Sequence, residues 1–281
     1  MKADIRRHMR GLALLTLGAF TSNGAFAGVY VELVSHDLAT NKSELAQKMY
    51  VQGNSGRFVE VPTPGDAADG ARESAMVIKD GTLYAIDDAE KNYVVLDKAT
   101  LEKVGKKMAE AVEKVKEQLS KMPAEQREQM QQMLAKQVPG LNGDQNWTVE
   151  AVNTGKADTV DGRKCQVWDV KRNGELDEQL CVVPFSALPG KENFQAVFAN
   201  FAKVFGEISK TAPTLAGLMS NEFSAQEKIN GFPVRSRDYE NGRLVELETV
   251  LRLWREEAIP ASMFEVPAGY QRKTMEDLAG P

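Results

Sequence analysis

Asn-Gly and Asp-Gly pairs recur along this chain, at Asp80-Gly81, Asp161-Gly162, Asn173-Gly174, Asn230-Gly231 and Asn241-Gly242. A two-residue type I′ turn needs positive φ at both central residues, and these pairs supply it at the least steric cost. Most are flanked by short runs rich in β-branched and aromatic residues, so the punctuation dictates hairpins. The runs 29–35, 44–52, 56–61, 75–79, 82–87, 92–97, 147–154, 164–171, 175–183, 233–240 and 243–254 read as about eleven strands in meander order. Connections this short join antiparallel neighbours.

Register follows from the turns. Pairing through Asp80-Gly81 sets Ile78 opposite Leu83 and Val77 opposite Tyr84. The turn Asp-Ala-Glu-Lys at 88–91 then sets Ile86 opposite Tyr93 and Leu83 opposite Leu96. Met76, Ile78, Leu83, Ala85, Val94 and Leu96 share one face; Val77, Tyr84, Ile86, Tyr93 and Val95 share the other. Two apolar faces mean a sheet covered on both sides. A core and a cavity lining both fit this pattern.

Two stretches carry the helical period instead. In 98–138, Leu101, Val104, Met108, Ala111, Val115, Leu119 and Met122 recur at spacings of three and four. Pro123 fits the first turn of a new helix but not a helix interior. The segment therefore reads as a helical hairpin bent near Met122-Pro123, with Met130, Met133, Leu134 and Gln137 continuing a weaker stripe. In 191–213, Phe194, Val197, Phe198, Phe201, Val204, Phe205 and Ile208 make a wide aromatic stripe, expected to be the most buried helix.

The chain opens with Lys2, Arg6, Arg7 and Arg10 against Asp4, then an uncharged apolar run at 11–20, then Ala25 and Ala27 in an A-x-A arrangement. That order is a secretory leader. The apolar run is shorter than the roughly 20 residues a membrane helix needs. Cleavage is expected between Ala27 and Gly28, leaving a periplasmic or secreted chain of about 254 residues with no transmembrane segment. That chain carries 31 Lys and Arg against 39 Asp and Glu, a charge of about −8. An acidic surface repels nucleic acid, so no nucleic-acid partner is expected.

Familiar catalytic constellations are missing. The mature chain has one histidine, His36, in a Ser-His-Asp-Leu context that reads as an exposed turn. No G-x-S-x-G, H-E-x-x-H, P-loop or G-x-G-x-x-G pattern occurs. Asp87-Asp88 and Glu256-Glu257 read as solvated ends of elements. The chain is read as non-enzymatic, with no catalytic residues, metal or cofactor.

Three stretches carry a family resemblance: MYVQGNSGRFVEV (49–61), MVIKDGTLYAIDDAEKNYVVLD (76–97), and INGFPVRSRDYE through FEVPAGYQRK (229–273), in which Phe264, Val266, Pro267, Gly269 and Tyr270 are the most specific. Together they resemble the secreted bacterial proteins of the domain-of-unknown-function 4412 family, themselves similar to the half-barrel of periplasmic lipoprotein carriers. The resemblance implies an α+β fold: a single domain over 28–281 with a curved antiparallel sheet, helices on its concave face and a helical-hairpin insert at 98–138. It further implies an apolar ligand on that face: a lipid, acyl chain or lipidated peptide. Candidate ligand-binding residues are Met76, Ile78, Leu83, Ala85, Val94 and Leu96 on the sheet, with Met108, Phe198 and Phe201 on helices. The alternative is an envelope protein partner, met by the hairpin 98–138 in a chaperone-like role. Phe264 and Tyr270 read as anchors of the chain end.

Cys165 and Cys181 are the two cysteines, sixteen positions apart with Asn173-Gly174 between them. They lack C-x-x-C spacing, and with one histidine they make no ordinary zinc site. In an exported chain they read as a cross-strand disulfide. A two-residue turn would set Cys165 opposite Val182, with the cysteines on opposite faces. The expected geometry is therefore a three-residue loop, Arg172-Asn173-Gly174, or a bulge with the same effect, setting Cys165 opposite Cys181. At the other end of the mature chain, amino-terminal sequencing of the exported protein should start at Gly28; a start at Met1 sinks the leader reading.

Overall fold

The computed structural model describes residues 27–62, 72–123, 126–127, 130, 148–211, 225–274 and 277. Residues 1–26 of the expected leader at 1–27 lie outside these residues, as does most of the second half of the expected hairpin at 98–138. Strands β1 (Gly28–Asp37), β2 (Lys42–Gln52), β3 (Ser55–Glu60), β4 (Ser74–Lys79), β5 (Thr82–Asp87) and β6 (Asn92–Leu96) precede helix α1 (Lys98–Ser120). Then come β7 (Val149–Val160), β8 (Arg163–Arg172), β9 (Glu175–Pro184), helix α2 (Lys191–Thr211), β10 (Gly231–Glu240), β11 (Arg243–Glu257) and β12 (Gln271–Lys273). Among the described residues, twelve strands form one open sheet in the order β12-β6-β5-β4-β3-β2-β1-β11-β10-β9-β8-β7.

The sheet is two meanders joined by a seam. Strands β1–β6 form one and β7–β11 the other, and β1 pairs antiparallel with β11 from Gly28↔Glu257 to Asp37↔Leu247. The sequence reading of one continuous meander omits this join, because its partners lie far apart along the chain. It also omits β12, whose three residues carry no alternation and pair parallel with β6.

The turns behave as their chemistry demands. Asp80, Asp161, Asn173 and Asn241 have φ between 47° and 51°, each followed by a glycine at positive φ. Asn230-Gly231 is the exception. Asn230 (φ 44°) closes a short helix at 225–229, its N–H donating to the Gln226 carbonyl at 3.2 Å. Gly231 opens β10 where a Cβ would lie 2.5 Å from Val182 Cγ1, so glycine is needed for close approach rather than for a hairpin.

The β4–β6 registers are those read from the turns: Ile78↔Leu83, Val77↔Tyr84, Ile86↔Tyr93 and Leu83↔Leu96. Both faces are covered. Ile78, Leu83 and Leu96 pack in a core with Phe194, Val197 and Val204 of α2. Val77, Ile86, Tyr84 and Tyr93 pack against Ile259, Met263, Phe264, Val266 and Tyr270 of the C-terminal segment. A third cluster joins Val170, Leu180 and Val182 to Ala225 and Ile229.

Cys165 and Cys181 are bridged, with S–S 1.97 Å and Cα–Cα 5.3 Å. The route is a bulge, the second of the two expected devices, and not the three-residue loop. The turn has two residues, with Arg172↔Glu175 and Lys171↔Leu176, and a bulge then shifts the ladder so that Val170 pairs Glu178. Val167 thus faces Cys181, and Cys165 reaches it diagonally on the same face. A bulge that adds one residue to β9 restores face parity as well as a longer loop does.

In α1, Asp97 caps the first turn, accepting from Thr100 N–H at 2.9 Å, and this bond holds its carboxyl below the usual range. The helix ends one turn before Pro123, with Lys121 N–H donating to the Gln118 carbonyl. Leu119 is buried and Val115 half-buried, while Ala111 faces solvent.

One carboxylate latches the chain end. Asp88 accepts from Tyr270 Oη at 2.8 Å and from Arg57 Nη2 at 3.1 Å, and Arg57 is only 9% exposed. Asp88 is therefore a structural hub and not a solvated end. Its hydrogen bond is the main cause that pushes the Tyr270 hydroxyl pKa up. Asp88→Ala strands a buried guanidinium and should destabilise by about 2–3 kcal/mol, and by more than Tyr270→Phe does. Urea unfolding measures both, and equal losses would contradict the shared latch.

Candidate ligand-binding cleft

Helix α2 has two useful faces. Phe194, Val197, Phe201 and Val204 recur at helical spacing toward the sheet, with Phe194 and Val197 each 1% exposed. Phe194 sits within an aromatic cluster: stacked on Trp254 at 4.7 Å, edge-on to Phe232 at 5.6 Å and near Phe185 at 6.4 Å. Trp254 Nε1 donates to the Pro189 carbonyl at 2.9 Å, so the indole is apolar on its faces and satisfied at its edge. Asn193, also buried, donates to the Ala27 and Gly190 carbonyls and accepts from Gly53 N–H at 2.7 Å.

The other face of α2 borders a cleft of about 330 Å³. Gln195, Phe198, Ala199 and Ala202 line it at positions i, i+3, i+4 and i+7. Phe185, in the 3₁₀ turn Phe185–Ala187, and the short helix around Gln226, Glu227 and Asn230 complete it. Phe185 and Phe198 approach at 6.2 Å, forming an aromatic floor. Glu227 is the one charged group among the described lining residues. A smaller polar notch of about 170 Å³ lies at the β1–β2 hairpin, lined by Ser35, Asp37, Thr40, Lys42, Glu44 and Leu247.

The nine residues read as ligand-binding candidates fall in different places. Phe198 lines the cleft. Phe201 packs on Phe58, ring centroids 5.6 Å apart. Ile78, Leu83 and Leu96 belong to the core under α2. Val94 is buried, Ala85 half-buried, and Met76 is 39% exposed. Met108 lies on α1, and its side chain is outside the described residues. The cleft residues Phe185, Gln195, Ala199, Ala202, Gln226 and Glu227 are absent from the sequence reading, and Asn230 enters it only as half of the turn signal Asn230-Gly231.

Titratable groups elsewhere serve the fold. His36 lies in β1 rather than in a turn, its Nδ1 2.9 Å from Ser43 Oγ. Tyr30 Oη donates to Glu32 at 2.5 Å; burial first, and then this bond, push the Tyr30 pKa up. The same bond is the main cause holding the Glu32 carboxyl down, and Arg252 adds to it at 2.6 Å. Asp238, toward the far end of β10, is pushed up by burial and then by Asp177 and Glu240. Among the described residues no group of three His, Cys, Asp or Glu could hold a metal ion. No described helix is long and apolar enough to cross a membrane.

Comparison with known proteins places this architecture in a family. The chain belongs to the DUF4412 family, described as a domain of unknown function, whose model matches residues 99–270. An uncharacterized conserved protein from Thermus thermophilus superposes with a TM-score of 0.41 at 7% identity, covering 89% of this chain and 92% of that one. A LolA superfamily protein from Nitrosomonas europaea superposes with a TM-score of 0.27 at 10% identity, covering 85% and 89%. No curated protein matches the chain.

The two faces of α2 should separate in mutagenesis. Phe194→Ala opens a cavity in the buried aromatic cluster and should destabilise by about 3–5 kcal/mol, whereas Phe198→Ala, half-buried at the cleft, should cost about half of that or less. Chemical denaturation of both variants reads the difference.

Proposed function

We propose that this protein is a non-enzymatic periplasmic binding protein for an apolar ligand: a lipid, an acyl chain or a lipidated peptide. The observation that carries the proposal is the cleft between α2 and residues 226–230, with an aromatic floor of Phe185 and Phe198 and a polar rim. Small-molecule sites are mostly apolar concavities of roughly 300–1,000 Å³ with a few placed polar groups. A volume of about 330 Å³ suits one chain rather than several. In this reading the open sheet is a half-barrel and α2 lies on its concave face. In this reading the amide groups and the one carboxylate among the described lining residues orient the ligand. The Cys165–Cys181 bridge fits an oxidising compartment.

The test is to purify the mature protein from the cell envelope, extract it with organic solvent and analyse the extract by mass spectrometry. A lipid at close to one per chain is expected. Ala202→Trp places an indole in the cleft from an exposed helix position, and it should lose that lipid while keeping the thermal midpoint of the parent. An empty parent protein that also takes up no acyl probe overturns the proposal. Partner capture by the hairpin 98–138, undisturbed by Ala202→Trp, would point to the interaction role instead.

A further inference from the structure

The described polar groups of the cleft are unbalanced in charge. Gln195, Gln226, Glu227 and Asn230 line it, and no lysine or arginine does so among the described residues. Gln226 Nε2 donates one of its two hydrogens to the Gly231 carbonyl at 3.3 Å, and its amide oxygen remains an acceptor. Glu227 is exposed and contributes acceptors only. The floor beneath them is Phe185, Phe198, Ala199 and Ala202, which offer no hydrogen bond from their side chains.

From this arrangement we infer that the cleft selects a single-chain amphiphile with a cationic, hydrogen-bond-donating head, a protonated alkylamine, over one with an anionic head. The inference rests on the apolar-ligand reading and adds the chemistry of the head group. The apolar chain lies on the aromatic floor, and the ammonium meets Glu227 and the amide oxygens at the rim. An ammonium group has three donors and no acceptor, which complements such a rim. A carboxylate or phosphate head would bring like charge to Glu227 and find no cation to pair with among the described lining residues. The charge of about −8 on the mature chain opposes its approach at long range as well. A hydroxyl head, which can donate but carries no charge, falls between the two.

The experiment is isothermal titration calorimetry of the full chain with decylamine, decanol and decanoate. All three are used below their aggregation concentrations, at pH 7 and low salt. Affinity should fall in that order, with up to about fivefold between amine and alcohol, the scale of an exposed ion pair. Glu227→Gln should close the gap between amine and alcohol, and Glu227→Lys should move decanoate to first place. Both variants should keep the parent's thermal midpoint, since Glu227 is exposed. Decanoate binding as tightly as decylamine, or an amine preference that survives Glu227→Gln, overturns the inference and leaves the apolar-ligand reading standing. Absence of binding by all three overturns both.

Discussion

The pairing of β1 with β11 is the constraint on which the rest of the molecule depends. It joins two meanders that would otherwise be separate sheets, and its inward side chains Val29, Val31 and Leu251 are fully buried. A bulge at Glu32/Leu33 keeps Leu33 opposite Leu251 across the seam. The chain entering α2 is fixed to this seam. Gly190, at φ 65°, lies so close to β1 that a Cβ would sit 2.4 Å from Val29 Cγ2. Trp254, one strand across, stacks on Phe194 and binds the Pro189 carbonyl. Asn193 ties the same turn to Gly53 on the other side of the seam.

The cleft follows from that anchoring. With its first turns fixed, α2 must point Phe194 and Val197 into the sheet, and the helical period then puts Gln195, Phe198 and Ala202 on the open side. Small residues at 199 and 202 keep the opening from being filled by the helix itself. Gly231 lets β10 start tight against β9, which brings the short helix at 225–229 alongside α2 and supplies the polar rim.

Much of this is legible in the sequence, for a local reason. Turn chemistry acts over four residues, so the Asp80-Gly81 hairpin and the register of β4–β6 can be read without knowing the rest of the chain. Face parity also carries over from sequence, which is why the two cysteines can be assigned to one face, by a loop or by a bulge, while the choice of a bulge, placed near Asp177, stays hidden. Bulges leave little mark on apolar alternation. The β1–β11 seam is hidden because nothing local marks a partner more than two hundred residues away. The cleft is hidden for a related reason. A stripe of Phe residues reads as core, and only the packed helix shows that Phe198 borders open space while Phe194 does not. Asn230-Gly231 misleads because the same dipeptide serves a helix end and a close strand approach.

Among the described residues the twelve-stranded sheet also has two edges, and strand edges are templates for polymerisation. At one edge, β12 adds three residues in the parallel sense beside β6, too short to seed a further strand. At the other, β7 breaks register between Asn153 and Ala157, with Gly155 at φ 72° and exposed Lys156 and Asp158 just beyond it. Thr154 turns its hydroxyl inward to the Val167 carbonyl at 2.8 Å. A second copy meeting β7 would find neither a straight ladder nor an uncharged one. Among the described residues, neither edge offers a second copy a long and regular ladder.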